Sequence, residues 1–255
     1  KSPSSGRVKL DLPEGLNIKR LDGRRGLLRQ LEDGLQASEH EESKAVLHSR
    51  EQALDMLLNP KARDAFDLEK ESVKTREAYG MHVCGQSVLT ARRLAEAGVP
   101  VSTVYCAAGD LNGSKGDHFD THGDNFNRLK NNMLPPLDQA ATALIGDLKA
   151  RGMLKETLVV LLTEFGRTPK INGGAGRDHF PDCYSVAFAG GGIEGGQVYG
   201  SSDAIGANPA TKPCGPPDLH ATIFHALGID PRHMIMDRED RPLPICDGNP
   251  LPLFG

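Results

Sequence analysis

The sequence lacks several signatures that would settle its class at once. There is no CxxC pair among its five cysteines, Cys84, Cys106, Cys183, Cys214 and Cys246, and an odd, scattered count is neither a disulfide framework nor a zinc knuckle. One bridge, Cys214 to Cys246, and five free thiols are the two readings left open. No apolar run approaches membrane-spanning length. No G-x-S-x-G elbow is present, Cys183 has no evident local base, and the glycines at 190–196 are not followed by the Lys-Ser/Thr of a phosphate loop. Net charge is only -4, too weak a bias for a protein that grips nucleic acid by neutralising phosphates. No signal peptide is visible and the first residue is Lys1, so the chain reads as a fragment or a processed form.

What is present suits a globular α/β chain. A hydrophobic content of 38% and a charged content of 25% over 255 residues allow a real core. A helical segment is expected at about 22–80: Asp22–Leu35, Ser43–Leu58, Ala62–Leu68 and Ser72–Tyr79, with its charge runs, Glu69-Lys70-Glu71 among them, read as a solvated face. A helix from His82 to Ala97 follows, closed by Gly98 and Pro100, and then a strand at Val101–Tyr105. A short strand is also expected at Val8–Leu12. The polar loop 107–125 leads into a long amphipathic helix, roughly Phe126–Arg151, which Pro135-Pro136 should break or kink.

The next stretch, LVVLLTEFGRT at 158–168, combines an apolar run with an abrupt change of chemistry. Five apolar residues, Leu158 to Leu162, predict a strand buried on both faces, as in a parallel sheet. Further strands are expected at Tyr184–Ala189 and Gln197–Gly200, with a tight glycine turn between them. Residues 202–217 read as irregular, Asp218 as the cap of a helix at Leu219–Leu227, and the Pro-rich tail 241–255 as a surface wrap.

Candidate chemistry gathers at two places. Asp120, His122 and Asp124 lie within five residues, and such a crowd of carboxylate and imidazole needs a cation or hydrogen bonds to hold it. Zinc and manganese accept these ligands, and capping of the long helix by Asp124 or Asn125 is the competing reading. Just off the expected buried strand, Glu164 must be paired, protonated or metal-bound. Arg167 is either its ion-pair partner or a contact for an anionic oxygen. His179, flanked by Arg177 and Asp178, follows a glycine-rich loop and can fold back over the strand end. His220 and His225 do not have ligand spacing and read as packing or surface residues.

GQSVLTARRLAEAGVP, FDTHGDNF, LVVLLTEFGRTPKING, GRDHFPDCYSVAFAGGGIEGGQVYG and DLHATIFHALGIDP together resemble domain-of-unknown-function family 1501, similar to the sulfatases and the alkaline-phosphatase-like superfamily. The resemblance implies a single α/β/α sandwich over 1–255 with a mostly parallel sheet, its N-terminal part missing. It implies a periplasmic protein exported by a twin-arginine signal, and a hydrolase of sulfate or phosphate esters on small molecules or glycans. It implies a divalent metal (Zn, Mn or Ca), as a single ion or none in this chain. Asp120, His122, Glu164 and His179 would be its ligands, Asp124 and Asp178 additional ones, and Arg167 an anion contact. Phe165 stands where the superfamily has a histidine ligand. A degenerate member binding a glycan or a protein is the alternative.

Overall fold

The computed structural model describes residues 14–34, 50, 54, 60–106 and 118–255, and the chain divides into two compact units, 1–106 and 107–255. The expected strand at Val8–Leu12, most of the helix at Ser43–Leu58 and the loop at 107–117 lie outside the described residues.

The first unit is helical. Helix α1 is Ile18–Gly34, α2 Pro60–Phe66, α3 Val73–Tyr79 and α4 Val83–Glu96, with a single 3-10 turn at Leu68–Lys70. Side chains start the helices: Asn17 Oδ1 accepts the Arg20 N–H, Ser72 Oγ that of Thr75, and His82 Nδ1 that of Gly85. Gly85 is fixed by crowding, because a Cβ there would sit 2.1 Å from the Tyr79 carbonyl oxygen. Helix α4 buries Cys84, Val88, Leu89 and Arg92, one face at helical spacing. Val83, at its first turn, is exposed.

Arg92 changes the reading of the charge runs as a solvated face. Its guanidinium is fully buried and donates to Glu71 Oε1 at 2.7 Å and to Glu96 Oε2 at 2.6 Å, while Arg93 donates to Glu71 as well. Burial opposes the charge on Glu71, but the hydrogen bonds from Arg92 and Arg93 outweigh it and hold the carboxyl below its usual range. A buried guanidinium must find carboxylates, so Glu71 serves the core. The strand expected at Val101–Tyr105 forms no ladder among the described residues.

The second unit mixes helices with short strand pairs. One α turn, α5 (Asn125–Arg128), runs through a π turn at Leu129–Met133 into α6 (Leu134–Ala150). Pro135 and Pro136 occupy the first turn of α6, where missing N–H groups cost least, and the wider turn precedes them. Strands β1 (Val159–Leu161), β2 (Gly166–Arg167), β3 (His179–Phe180), β4 (Ala187–Ala189), β5 (Ser201–Ser202) and β6 (Pro209–Thr211) follow, then helix α7 (Pro216–Ala226) and strands β7 (Met234–Met236) and β8 (Pro242–Pro244).

The pairs are β1–β4, β2–β3, β5–β6 and β7–β8, all antiparallel. The mostly parallel sheet of the expected sandwich is therefore not seen among the described residues, and the unit is a mixed α/β arrangement. The strand expected to be buried on both faces is instead half-buried: β1 pairs Val160 with Phe188, while Leu161 is 45% and Leu162 53% exposed. An apolar run reports affinity for cover, but not the direction of the partner or how many faces are covered. Strand expectation at Gln197–Gly200 shifts to Ser201–Ser202, and residues 202–217, expected to be irregular, contain β6.

The tail also departs from expectation. Leu251 and Leu253 are buried with Leu219 of α7, packed by Val186, Phe188, Ile193 and Tyr199. The Leu251 N–H donates to Thr222 Oγ1 at 2.9 Å inside this cluster. Prolines spaced by leucines supply core residues without needing a ladder. Helix α7 starts at Pro216, two residues before Asp218, whose carboxylate accepts the Gly215 and Asn249 N–H groups at 2.9 and 3.0 Å. All five cysteines are free, so Cys214 and Cys246 are not bridged. No helix is long and apolar enough to cross a membrane among the described residues.

Candidate metal centre

Two loops build the site, and main-chain hydrogen bonds join them. The Asp124 N–H donates to Gly174 O and the Asn125 N–H to Ala175 O, while the Arg177 N–H donates to Thr121 O. Gly123 and Ala175 form a bridge. Gly176 lies against the His122 carbonyl so closely that a Cβ would sit 1.9 Å from its oxygen, so only glycine fits. Ala175 takes a left-handed conformation, φ 56°, to complete the turn. Behind the loops, β2 and β3 pair Arg167 with His179.

Asn172 is the keystone of the second loop. Its Oδ1 accepts the N–H groups of Gly174 and Gly176, and its Nδ2 donates to the His122 carbonyl at 3.0 Å and to Asp178 Oδ1 at 3.1 Å. Arg177 turns away from the site and donates to the carbonyls of Thr168 and Arg167, clamping the strand pair.

Three side chains converge in front of this frame. His179 Nε2 lies 2.8 Å and His122 Nε2 3.0 Å from Asp120 Oδ1, and the two nitrogens lie 3.2 Å apart. All three residues are about half exposed, so solvent and solutes reach them. Arg167 donates to the same Asp120 oxygen at 3.0 Å and to the Phe119 carbonyl at 2.8 Å. The hydrogen bond from His179, joined by that from Arg167, overcomes partial burial and holds the Asp120 carboxyl down to about 2. Asp120 is thus ionised over the whole neutral range.

On its other side, His122 Nδ1 lies 2.7 Å from Asp178 Oδ1. The hydrogen bond from His122 lowers the Asp178 carboxyl, with Asn172 contributing. Phe165, at the expected histidine position, packs against His179 with ring centroids 4.2 Å apart and the planes tilted by 35°.

The donor set fits a cation. Where Nδ1 carries its proton toward Asp178, a neutral His122 ring has its lone pair on Nε2. That lone pair faces a carboxylate oxygen at 3.0 Å. Two acceptors at this distance repel unless a proton or a metal lies between them. Ligand atoms 2.0–2.1 Å from a tetrahedral metal are about 3.3 Å apart, close to the spacing of these three atoms. One aspartate and two histidines also form a ligand group that zinc and manganese accept.

Of the residues singled out in the sequence, Asp120, His122 and His179 come together, with Arg167 and Asp178 in direct contact with them. Glu164 is exposed in the bend between β1 and β2 and is not part of the group. Asp124 stands at the start of α5 with φ 45° and accepts from Asn127 Nδ2, with no capping bond from its side chain. Asn125 is buried and accepts from Thr121 Oγ1. His225 packs edge-on against Phe254. The sequence reasoning missed Asn172, although Asn-Gly-Gly at 172–174 is a turn signal that could have drawn attention to it.

A family model described as "Protein of unknown function (DUF1501)" matches residues 1–252. No curated protein and no solved structure matches the chain.

Proposed function

Starting from the fact that the chain belongs to the DUF1501 family of proteins of unknown function, we propose that Asp120, His122 and His179 form the metal centre of a hydrolase acting on sulfate or phosphate esters of small molecules or glycans. The observation that carries this reading is the convergence of Asp120 Oδ1, His122 Nε2 and His179 Nε2 at an accessible point. These three residues would hold a divalent ion, which when bound would supply Lewis-acid polarisation of the ester and a more acidic water. Asp120 supplies the anionic ligand, Phe165 fixes the plane of the His179 ring, and Arg167 holds Asp120 while adding positive charge beside an arriving anion. Glu164 and Asp124, which stand outside the close group, enter this proposal only as additional ligands implied by the sequence resemblance. The alkaline-phosphatase-like sandwich, export by a twin-arginine signal and periplasmic location belong to the same proposal and rest on the sequence resemblance. The test is turnover of aryl sulfates and aryl phosphates with Zn, Mn or Ca added. Activity that needs the metal and is lost in His179→Ala supports the reading; no turnover and no metal uptake under any of the three removes it.

One observation favours a second reading, a binding protein without turnover. Phe165 occupies a position where a ligand was expected, and the close group has three ligands. Metal uptake with no ester hydrolysis, together with retention on a sulfated-glycan column, selects it.

A further inference from the structure

We infer that Asp178 is a positioning residue of this centre rather than one of its ligands: its carboxylate holds His122 in the tautomer whose free lone pair, on Nε2, faces Asp120 and His179. The inference rests on the metal reading above and adds the group that makes His122 a usable ligand.

The geometry separates the two sides of one imidazole. Asp178 Oδ1 lies 2.7 Å from Nδ1, while Nε2 faces Asp120 Oδ1 at 3.0 Å and His179 Nε2 at 3.2 Å. The two ring nitrogens point away from each other, so the Asp178 oxygen that touches the ring stands behind it, away from the converging atoms. A carboxylate is an acceptor only, so the proton of this contact belongs to Nδ1. Ligating histidines are commonly oriented in this way, their second nitrogen donating to a carboxylate that also raises ligand basicity.

The carboxylate is itself held in place. Asn172 Nδ2 donates to Asp178 Oδ1 at 3.1 Å and the Asp178 N–H donates to Thr168 Oγ1 at 3.1 Å. The same Asn172 amide reaches the His122 carbonyl at 3.0 Å. One side chain therefore sets both the backbone that carries the imidazole and the carboxylate that turns it. The next residue in the chain, His179, is the first of β3 and reaches Asp120 Oδ1 with its own Nε2.

The test uses the intact protein, metal-free and then titrated with zinc by calorimetry, comparing wild type with Asp178→Ala and Asp178→Asn. Histidine ring ¹⁵N correlation spectra of the metal-free proteins report the His122 tautomer, a readout that a merely structural role would not move. The expected result is the Nδ1–H tautomer in wild type, a shift toward Nε2–H in Asp178→Ala, and zinc affinity weaker by about 10–100-fold. Asp178→Asn, which keeps an acceptor and the shape, is expected to fall between the two. Equal zinc affinity in wild type and both variants overturns the inference and leaves the metal centre standing. Failure of wild type to take up zinc removes both.

Discussion

Arg167 and His179 stand opposite each other on the β2–β3 pair, and both side chains end on the same atom, Oδ1 of Asp120. A two-residue ladder thereby aims a cation and an imidazole at one carboxylate carried by a loop 47 and 59 positions earlier. The order of the site is a property of the backbone as much as of its side chains.

Removing His179 tests the ligand role directly. In His179→Ala the zinc affinity is expected to drop by more than the ~10–100-fold typical of losing a supporting partner, because a donor atom itself is gone. Far-UV circular dichroism should be unchanged, since His179 is half exposed and carries little packing. Calorimetric titration against zinc checks the first, and an unaltered affinity sinks the ligand assignment.

Gly176→Ala should break the site from behind. Its Cβ would meet His122 O at 1.9 Å and His122 C at 2.1 Å, and both neighbours are main chain with no rotamer to yield. The expected cost exceeds the ~1–3 kcal/mol of ordinary overpacking, with loss of zinc binding even though no ligand is altered. Urea denaturation followed by zinc titration measures both. A variant as stable and as tightly metal-binding as wild type would show that the two loops are not held in register here.

Asp218 gives a pH dependence. The Gly215 and Asn249 N–H groups hold its carboxyl below the usual aspartate range. Its folded pKa is depressed, so the stabilisation is fully present above the unfolded value and is lost as pH falls through the folded one. Asp218→Ala should therefore cost about 1 kcal/mol at pH 7, the size of a lost helix cap. The gap to wild type should narrow steadily below pH 4. Urea midpoints from pH 7 down to pH 2.5 check this, and a gap independent of pH contradicts it.

Leu253 separates a core tail from a surface wrap. Leu253→Ala empties part of the cluster with Leu219, Leu251 and Phe188, and the expected loss is about 2–5 kcal/mol. A surface position would lose within about 0.5 kcal/mol. Thermal or urea unfolding decides between them.

The legible parts of the sequence were those written in local chemistry. Ser72, His82, Gly98 and the stripe ending in Leu148 mark helix ends and faces through spacing alone, and the structure has helices there. The crowding of Asp120 with His122, and the glycine loop before His179, could be read because unlike charges and free backbone are visible without coordinates. What failed depended on distant partners. Leu158–Leu162 carries the pattern of a doubly buried strand, yet Leu161 and Leu162 are exposed beside β4, and without that burial Glu164 needs no partner. Arg92 looks like one more surface charge until Glu71, twenty-one positions earlier, is placed against it. Asn172 and Asp178 act on His122 across 50 and 56 residues, a relationship that no local periodicity encodes.

The place of Leu251 and Leu253 in the core also has a consequence in time. A chain made from its N-terminus presents Phe188 and Leu219 well before their cover exists. The 34 residues from Leu219 to Leu253 take roughly 2–7 s to add at about 5–20 residues per second. During that interval the apolar face of α7 and β4 is open to any other sticky surface nearby. The unit's hazard is thus greatest during birth, and a chaperone or a slowly translated stretch over residues 220–250 would matter more to its yield than to its final stability.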